Sequence, residues 1–392
     1  MQDLRGEPDE LFRRTPSGAS TKMTFSLEVL LPREGFDDFG TQYETAAQRL
    51  RYEIQLELKE DLQGVFVSHE DCRVIKGEQD RISFGINEKI SRSSRKTPFL
   101  ETERDAQGNA RVFRIRQDGL AESGTSKRGS PLQLPAAEAA RSALSTIATS
   151  EFRHLFALKK LISGTRFLEI NPTSARKASD KYEDKKLRSD ASNLAACLSD
   201  IKRRSQTDAR ENGSLSDISA DLAMLIPQVR NVKMLDDSRS GEYAFEIELR
   251  DETSFSSRVI SDGTIRLLAL LALIDDPDRE GILCFEEPEN GVHEGRIPDL
   301  IEILRGATTQ QSEEGDFFQI LMNTHSPAVM RSLEFQEVLF ADMILSARDE
   351  SSSSEVRTRM RRIAPDKTLF DDEHHLYPAK VEELLKKMAS GV

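Results

Sequence analysis

Two adjacent carboxylates, Glu286 and Glu287, stand directly after the apolar run Ile282–Phe285 and directly before Pro288. A short unbroken apolar run of this kind predicts a strand buried on both faces, as in a parallel sheet. Proline prevents the strand from continuing. In open α/β sheets ligands sit beyond the carboxyl ends of the strands, and two acids there can hold Mg²⁺ and orient an attacking water. Taken alone, the pair is equally consistent with two solvated glutamates on a loop. Upstream, Ser261-Asp262-Gly263-Thr264 precedes the apolar stretch IRLLALLALI. Ser and Asp cap helices, Gly lets a phosphate approach the backbone, and a helix start offers free N–H groups and positive dipole charge. An ordinary N-cap of a buried helix is the plainer account of that segment. Downstream, Gln319–Met322 is followed by Asn323-Thr324-His325-Ser326-Pro327. This places a histidine at a second strand end, with Ser326 ready to cap a helix whose first residue is Pro327.

The rest of the chain must position these groups. Alternating patterns over Met23–Leu31 and Leu50–Leu58 predict strands, as do Gly64–Ser68, Cys72–Lys76 and Ala110–Arg116. From Pro135 the sequence AAEAARSALSTIATSEFRHLFALKKLI is rich in helix formers. Gly164 and Asn171-Pro172 break that run, and the charged stretch Ser174–Ser189 reads as a solvated link. Asn193–Ile201 and Ser216–Ile226 predict two further helices, and no sustained heptad or internal repeat is present. Val232–Met234 and Tyr243–Arg250 return to strand alternation, followed after His325 by Val338–Phe340 and Glu355–Ile363. Pro378 opens a last amphipathic helix with Val381, Leu384, Leu385 and Met388 on one face. Asp371, Asp372, Glu373, His374 and His375 could touch a metal, although a solvated turn is the simpler account.

Composition narrows the classes. At 392 residues the chain can bury a large core in one or two domains. A net charge of −13 argues against general attraction to nucleic acid, so any such contact needs a local basic patch. The alternating Arg357, Arg359, Arg361 and Arg362 could form one, a solvated face being the commoner use. Cys72, Cys197 and Cys284 make neither a disulfide framework nor a zinc motif, which points to a reducing, cytoplasmic setting. The first residues are polar rather than a signal peptide, and the longest apolar run, Leu267–Ile274, falls far short of a membrane span.

The order SDGT, ILCFEEPEN, NGVHE, NTHSP resembles the second half of an ATP-binding-cassette ATPase head. The nearest likeness is to the RecF/SMC-like, AAA-type and OLD-related branch, and it covers Glu242–Ala341 most clearly. The resemblance implies an α/β, P-loop NTPase-like sheet with an antiparallel β-subdomain and a helical insertion. The implied domains are 1–134 for the β-rich lobe, 135–235 for the helical insertion and 236–392 for the C-terminal ATPase lobe. It further implies ATP and Mg²⁺ as cofactors. Glu286 would be the Walker B acid that holds the metal, one methylene longer than the Asp common there. Glu287 would be the general base. NGVHE would form a D-loop in which His293 shapes the loop, and His325 would be a switch donating a hydrogen bond to the γ-phosphate. Ser261, Asp262, Gly263 and Thr264 would be the signature motif, facing a nucleotide held by an opposing subunit. The fourth position departs from the Gln or Glu often found there. A homodimer through the signature and D-loop faces follows, with DNA and a partner protein in repair or anti-phage defence by analogy. About 65 residues follow His325, too few for the nuclease domain of an OLD protein.

One part of the pattern is missing. The phosphate-cradling loop is GxxxxGK[ST], and no Gly-Lys dipeptide occurs in the sequence. In relatives that loop lies before a segment like Leu4–Arg14. The first strand and its loop are therefore expected to be absent from this chain and supplied by an upstream segment or a partner. The alternative is an ATPase-like module without catalysis of its own, acting as an interaction or regulatory partner.

Overall fold

The computed structural model describes residues 8–15, 18–59, 62, 64–80, 90–91, 93–119, 129–237, 241–277, 279, 281–309, 318–346, 355–363, 375–377, 381–383 and 386. The chain divides into two compact units, residues 1–163 with 347–355, and residues 164–346 with 356–392. The expected boundaries at 134/135 and 235/236 do not coincide with this division, because the segment 135–235 is shared between the units.

The first unit is built on an antiparallel sheet. Its strands are β1 (Lys22–Leu30), β2 (Arg49–Lys59), β3 (Gly64–Val74), β4 (Leu100–Arg104), β5 (Ala110–Ile115) and β6 (Leu132–Pro135), hydrogen-bonded in chain order. Strand alternation sets the register: Met23, Phe25, Leu27 and Val29 pair with Leu56, Ile54, Tyr52 and Leu50 on one face. That face carries a core of Leu50, Phe99, Leu100, Phe113 and Ile115, packed with Leu155, Phe156 and Leu158 of helix α1 (Arg153–Ser163). Two expected strands, Gly64–Ser68 and Cys72–Lys76, are one continuous strand, with an irregularity in register at Gln55/Leu56 of its partner.

The helix expected from Pro135 begins only at Arg153, and residues 136–152 run in turns and short 3₁₀ segments. Tertiary bonds override the local propensity. The carboxylate of Glu70, fully buried, accepts from Ala143 N–H (2.6 Å), Leu144 N–H (2.9 Å) and the Tyr52 hydroxyl (2.8 Å). Nearby, Ala47 N–H donates to Nε2 of buried His154 (3.0 Å), so Nδ1 carries the proton and faces Asp118.

The second unit holds a parallel sheet of β7 (Arg166–Leu168), β12 (Gly281–Glu286) and β13 (Phe318–Asn323), in the order β7-β12-β13. An antiparallel sheet lies in the same unit, of β8 (Ser179–Asp180), β9 (Val229–Asp237), β10 (Glu242–Leu249) and β11 (Ser254–Ser256), with β10 at its centre. Helices α2 (Pro172–Ala175), α3 (Leu194–Ser205), α4 (Leu215–Leu225), α5 (Asp262–Ile274) and α6 (Ile297–Thr309) fill the space around one core. A third sheet follows helix α7 (Pro327–Ser332), made of β14 (Leu339–Ser346), β15 (Glu355–Ile363) and β16 (His375–Leu376). It has a small core of Ile363, Leu376 and Val381.

Three expectations are corrected. Strand β12 is buried on one face only: Leu283 and Phe285 sink into the core, while Ile282 and Cys284 remain half exposed. Ser174–Ser189 is not a solvated link, because Ala175 and Leu187 join the core and Ser179-Asp180 pairs with β10. The four arginines near the C-terminus are not a free basic stripe, since Arg359 and Arg361 both bond Asp342. Of the last expected helix, Val381 is described and buried, while Pro378, Leu384, Leu385 and Met388 lie outside the described residues, as do Asp371, Asp372, Glu373 and His374. Among the described residues no helix is long and apolar enough to cross a membrane.

Candidate functional site

The anchor is helix α5. Ile265 and every residue from Leu267 to Ile274 are buried, so the helix start is held rigidly at the edge of the core. Ser261 caps it, its Oγ accepting from Thr264 N–H (3.2 Å) and lying 2.8 Å from the Thr264 hydroxyl. Arg176, just after α2, braces the start from the side. Its guanidinium donates twice to the Ile260 carbonyl (2.9 and 2.7 Å) and pairs with Asp262, while Ser257 donates to the Arg176 carbonyl (2.7 Å). Arg176 falls within the stretch whose charge suggests solvent. Its role is visible only in the tertiary arrangement.

The acids arise from β12. In the parallel register Glu286 sits opposite Asn323 of β13. The Asn323 amide donates to Glu286 Oε1 (3.2 Å), and Glu287 N–H donates to the Asn323 carbonyl (3.0 Å) and side-chain oxygen (3.3 Å). Glu287 itself is held at φ +48°, a left-handed backbone that a non-glycine residue adopts at some cost. Its carboxylate is exposed and accepts from the Asn290 side chain (2.8 Å). In the sequence Asn323 is legible only as part of the NTHSP motif, which draws the eye to its histidine, yet it ties the two strand tips together.

The turn after β13 is pinned to the loop after β12. The Thr324 hydroxyl donates to Glu289 Oε1 (2.7 Å), Ser326 N–H donates to the Thr324 oxygen (2.9 Å), and Ser326 caps α7 by accepting from Val329 N–H (3.4 Å). His325 is thus an exposed imidazole between two anchored residues. His293 accepts from Gly295 N–H (3.1 Å) and caps the turn Glu294–Arg296, as expected of a loop-shaping residue.

Two glycines join α5 to this loop. Gly291 has φ +98°, and a Cβ there would lie 2.3 Å from Gly263 Cα, while a Cβ on Gly263 would lie 2.7 Å from Gly291 Cα. No side chain fits between them. The geometry therefore strings the expected residues into one connected set. Ser261, Asp262, Gly263 and Thr264 meet the loop at Gly291, the loop returns through Asn290 to Glu287, and Glu286 and Glu287 bond the strand that leads to His325.

The donor set suits a hard cation. Glu286, Glu287, Glu289 and Asn323 offer oxygen near the strand tips, and Glu289 Oε2 is buried without a hydrogen-bond partner. Among the described residues no three His, Cys, Asp or Glu side chains converge to cage a metal.

Acids and a histidine stand at the carboxyl ends of adjacent parallel strands, and the class is given by the family profile that the chain matches. The chain belongs to the family described as "AAA domain, putative AbiEii toxin, Type IV TA system", whose profile matches residues 4–331. No curated protein matches it. Among solved structures the chain is similar to an SMC ATPase from a study of ATP-driven dimerization and DNA-stimulated activation, at 13% identity, covering 50% of this chain and 95% of that one (TM-score 0.30). It is also similar to an SMC head bound to the C-terminal winged-helix domain of ScpA, at 11% identity, covering 82% and 76% (TM-score 0.34). A third is the Smc head with coiled coil and joint from Pyrococcus yayanosii, at 11% identity, covering 45% and 29% (TM-score 0.29).

Proposed function

We propose that this chain contributes the hydrolytic half of a Mg²⁺–ATP site. The observation that carries this reading is the parallel register of β12 on β13, which brings Glu286, Glu287 and the Asn323–His325 turn to one sheet edge. In the proposed chemistry Glu286 would hold Mg²⁺, which would supply charge stabilisation for the phosphates. Glu287, angled by its left-handed backbone, accepts the proton of the attacking water. His325 donates to the γ-phosphate, and the start of α5 directs its free N–H groups and dipole at a phosphate. Because Gly263 rests against Gly291, movement of the helix start is transmitted to the loop that carries Glu287's partner Asn290.

The proposed assembly is a homodimer that closes on ATP through the signature and D-loop faces. DNA repair or anti-phage defence is its proposed setting. The family description, which names a toxin of a type IV toxin–antitoxin system, supports the defence side of that setting. A second reading is supported by the sequence having no Gly-Lys dipeptide: the chain is an ATPase-like module without catalysis of its own, acting as an interaction or regulatory partner. On that reading the purified chain alone binds ATP poorly. Tight, Mg²⁺-dependent binding measured by calorimetry on the chain alone would refute it. For the first reading, Glu287→Gln in the assembled protein is expected to abolish ATP turnover while nucleotide-induced dimers persist. Unchanged turnover removes Glu287 as the base.

A further inference from the structure

Strand β1 (Lys22–Leu30) is the last strand at one edge of the antiparallel sheet in the first unit. It pairs with β2 without a bulge and contains no proline, and among the described residues no strand lies on its other side. Hydrogen-bond alternation fixes which groups that edge presents. Leu58 N–H donates to the Thr21 carbonyl (2.8 Å) and Leu31 N–H to the Gln48 carbonyl (2.8 Å), so in this register the odd-numbered residues bond β2. The even-numbered ones turn their N–H and carbonyl groups outward. The Ser20 hydroxyl engages those of Lys22 (3.3 and 2.9 Å), while those of Thr24, Ser26 and Glu28 meet no partner among the described residues. The apolar side chains also run past the core: Phe25 is 48% and Leu27 43% exposed. An open edge of this kind recruits another strand.

We propose that this edge pairs with the same edge of a second copy, antiparallel and about a two-fold axis at Phe25. The sequence Lys22-Met23-Thr24-Phe25-Ser26-Leu27-Glu28 is chemically palindromic about its centre. Run against itself, Lys22 of each copy stands opposite Glu28 of the other, Met23 opposite Leu27, Thr24 opposite Ser26 and Phe25 opposite Phe25. Opposite charges, apolar pairs and hydroxyl pairs across strands each stabilise a sheet, and the two-fold axis makes each unlike pair occur twice. The backbone agrees independently. Thr24 and Ser26 both point their hydrogen-bonding groups outward, so they exchange bonds as a hydrogen-bonded pair, and Phe25 meets Phe25 as a non-hydrogen-bonded pair, the closer kind. Outward groups allow only registers that match even-numbered residues with even. Moving the axis to Thr24 or to Ser26 sets Lys22 against Ser26 or Leu30 and parts it from Glu28. Charge therefore selects the register centred on Phe25, and selects a second copy over an unrelated strand. The interface lies within the first unit and needs no nucleotide, so it is distinct from the ATP-closed dimer proposed above.

The test is sedimentation of the full chain over a range of concentrations, without nucleotide and with Mg²⁺ chelated. A reversible monomer–dimer equilibrium is expected. Lys22→Glu sets two like-charge pairs in the interface and is expected to raise the dimer's Kd about tenfold, as is Glu28→Lys. Lys22→Glu with Glu28→Lys in one chain is expected to restore most of the affinity. Purely local damage would not be rescued, since position 22 also faces Glu57 (3.4 Å) and position 28 faces Arg51 (3.8 Å) in its own chain, and the double reversal leaves both mismatched. Phe25→Cys is expected to form an intermolecular disulfide on mild oxidation, because the opposed pair stands at bridging distance. Ser26→Cys, offset from its counterpart, is expected to stay at the wild-type level. A chain that remains monomeric, a dimer that forms only with ATP, or a dimer whose affinity the double reversal does not restore overturns the proposal. A dimer in which Phe25→Cys fails to cross-link overturns it too, by joining the copies elsewhere.

Discussion

The two units handle their polar groups in opposite ways. In the first, Glu70, Asp118 and His154 are buried, and Glu70 and His154 are tied to backbone N–H groups of distant segments. Burial pushes the Glu70 carboxyl upward, and the bonds from Leu144, Ala143 and Tyr52 pull it back. Such groups fix a fold. In the second unit Glu286, Glu287 and His325 are exposed at strand tips, and one of them sits in a left-handed backbone. Their neighbours Asn323, Asn290 and Thr324 bond the surrounding turns, with Asn323 and Asn290 also reaching the acids themselves. A buried carboxylate tied to distant backbone, as Glu70 is, thus stands against exposed carboxylates on a braced turn, which on the proposed reading are the ones that do chemistry.

That contrast can be broken by swapping charges in each region. Glu287→Gln is expected to lower turnover of the assembled protein by about 10²–10⁴-fold, the range for a general base, with the melting temperature unchanged. Loss of stability with turnover per folded molecule retained would place Glu287 among the structural acids. Glu70→Ala is expected to do the reverse. It strips three hydrogen bonds from a buried site, costing about 3 kcal/mol at ~1 kcal/mol each, read as a shifted midpoint in urea unfolding.

Gly291→Ala tests the contact between the helix start and the loop. The new Cβ meets Gly263 Cα in a backbone region that disfavours alanine, so a cost of about 1–3 kcal/mol is expected. Turnover should fall by more than that stability loss explains, since the displaced loop carries Asn290. A Cβ on Gly306 would meet nothing within 4 Å, so Gly306→Ala in α6 is the matched control and is expected to be neutral or stabilising.

The smallest effect concerns Asp275, at the end of α5. Burial, then the nearby charges of Asp221 and Asp217, raise its carboxyl to about 7. A raised acid favours the folded state while protonated. Its contribution is therefore complete below the unfolded pKa near 3.8 and is lost as pH rises through about 7. Asp275→Asn is expected to flatten the decline in melting temperature across that window. An identical decline in both proteins would show that Asp275 titrates normally.

Much of this is legible in the sequence. The strands Lys22–Leu30 and Arg49–Lys59, and the helices Leu194–Ser205 and Leu215–Leu225, follow from alternation and apolar spacing to within a few residues. The segments carrying Glu286, Glu287, Ser261 and His325 are visible because strand and helix ends have chemical signatures. What sequence does not show are long-range partners. Glu70 captures Ala143 and Leu144 and so prevents a helix there. Arg176 leaves a charged stretch to brace Ile260 and Asp262, and Asn323 joins two tips through its amide. Each depends on a residue dozens of positions away, which local propensity cannot report. The one-sided burial of β12 escapes for the same reason, since an apolar run looks alike whether one face or both are covered.

The account turns on Glu286, Glu287 and His325 acting on one bound triphosphate. Steady-state ATP hydrolysis by the assembled protein, compared across wild type, Glu287→Gln and His325→Ala with Mg²⁺ present and chelated, tests it most directly. The predicted result is Mg²⁺-dependent turnover that is abolished in Glu287→Gln and strongly reduced in His325→Ala, all three proteins melting alike. Turnover of equal rate in all three would contradict it.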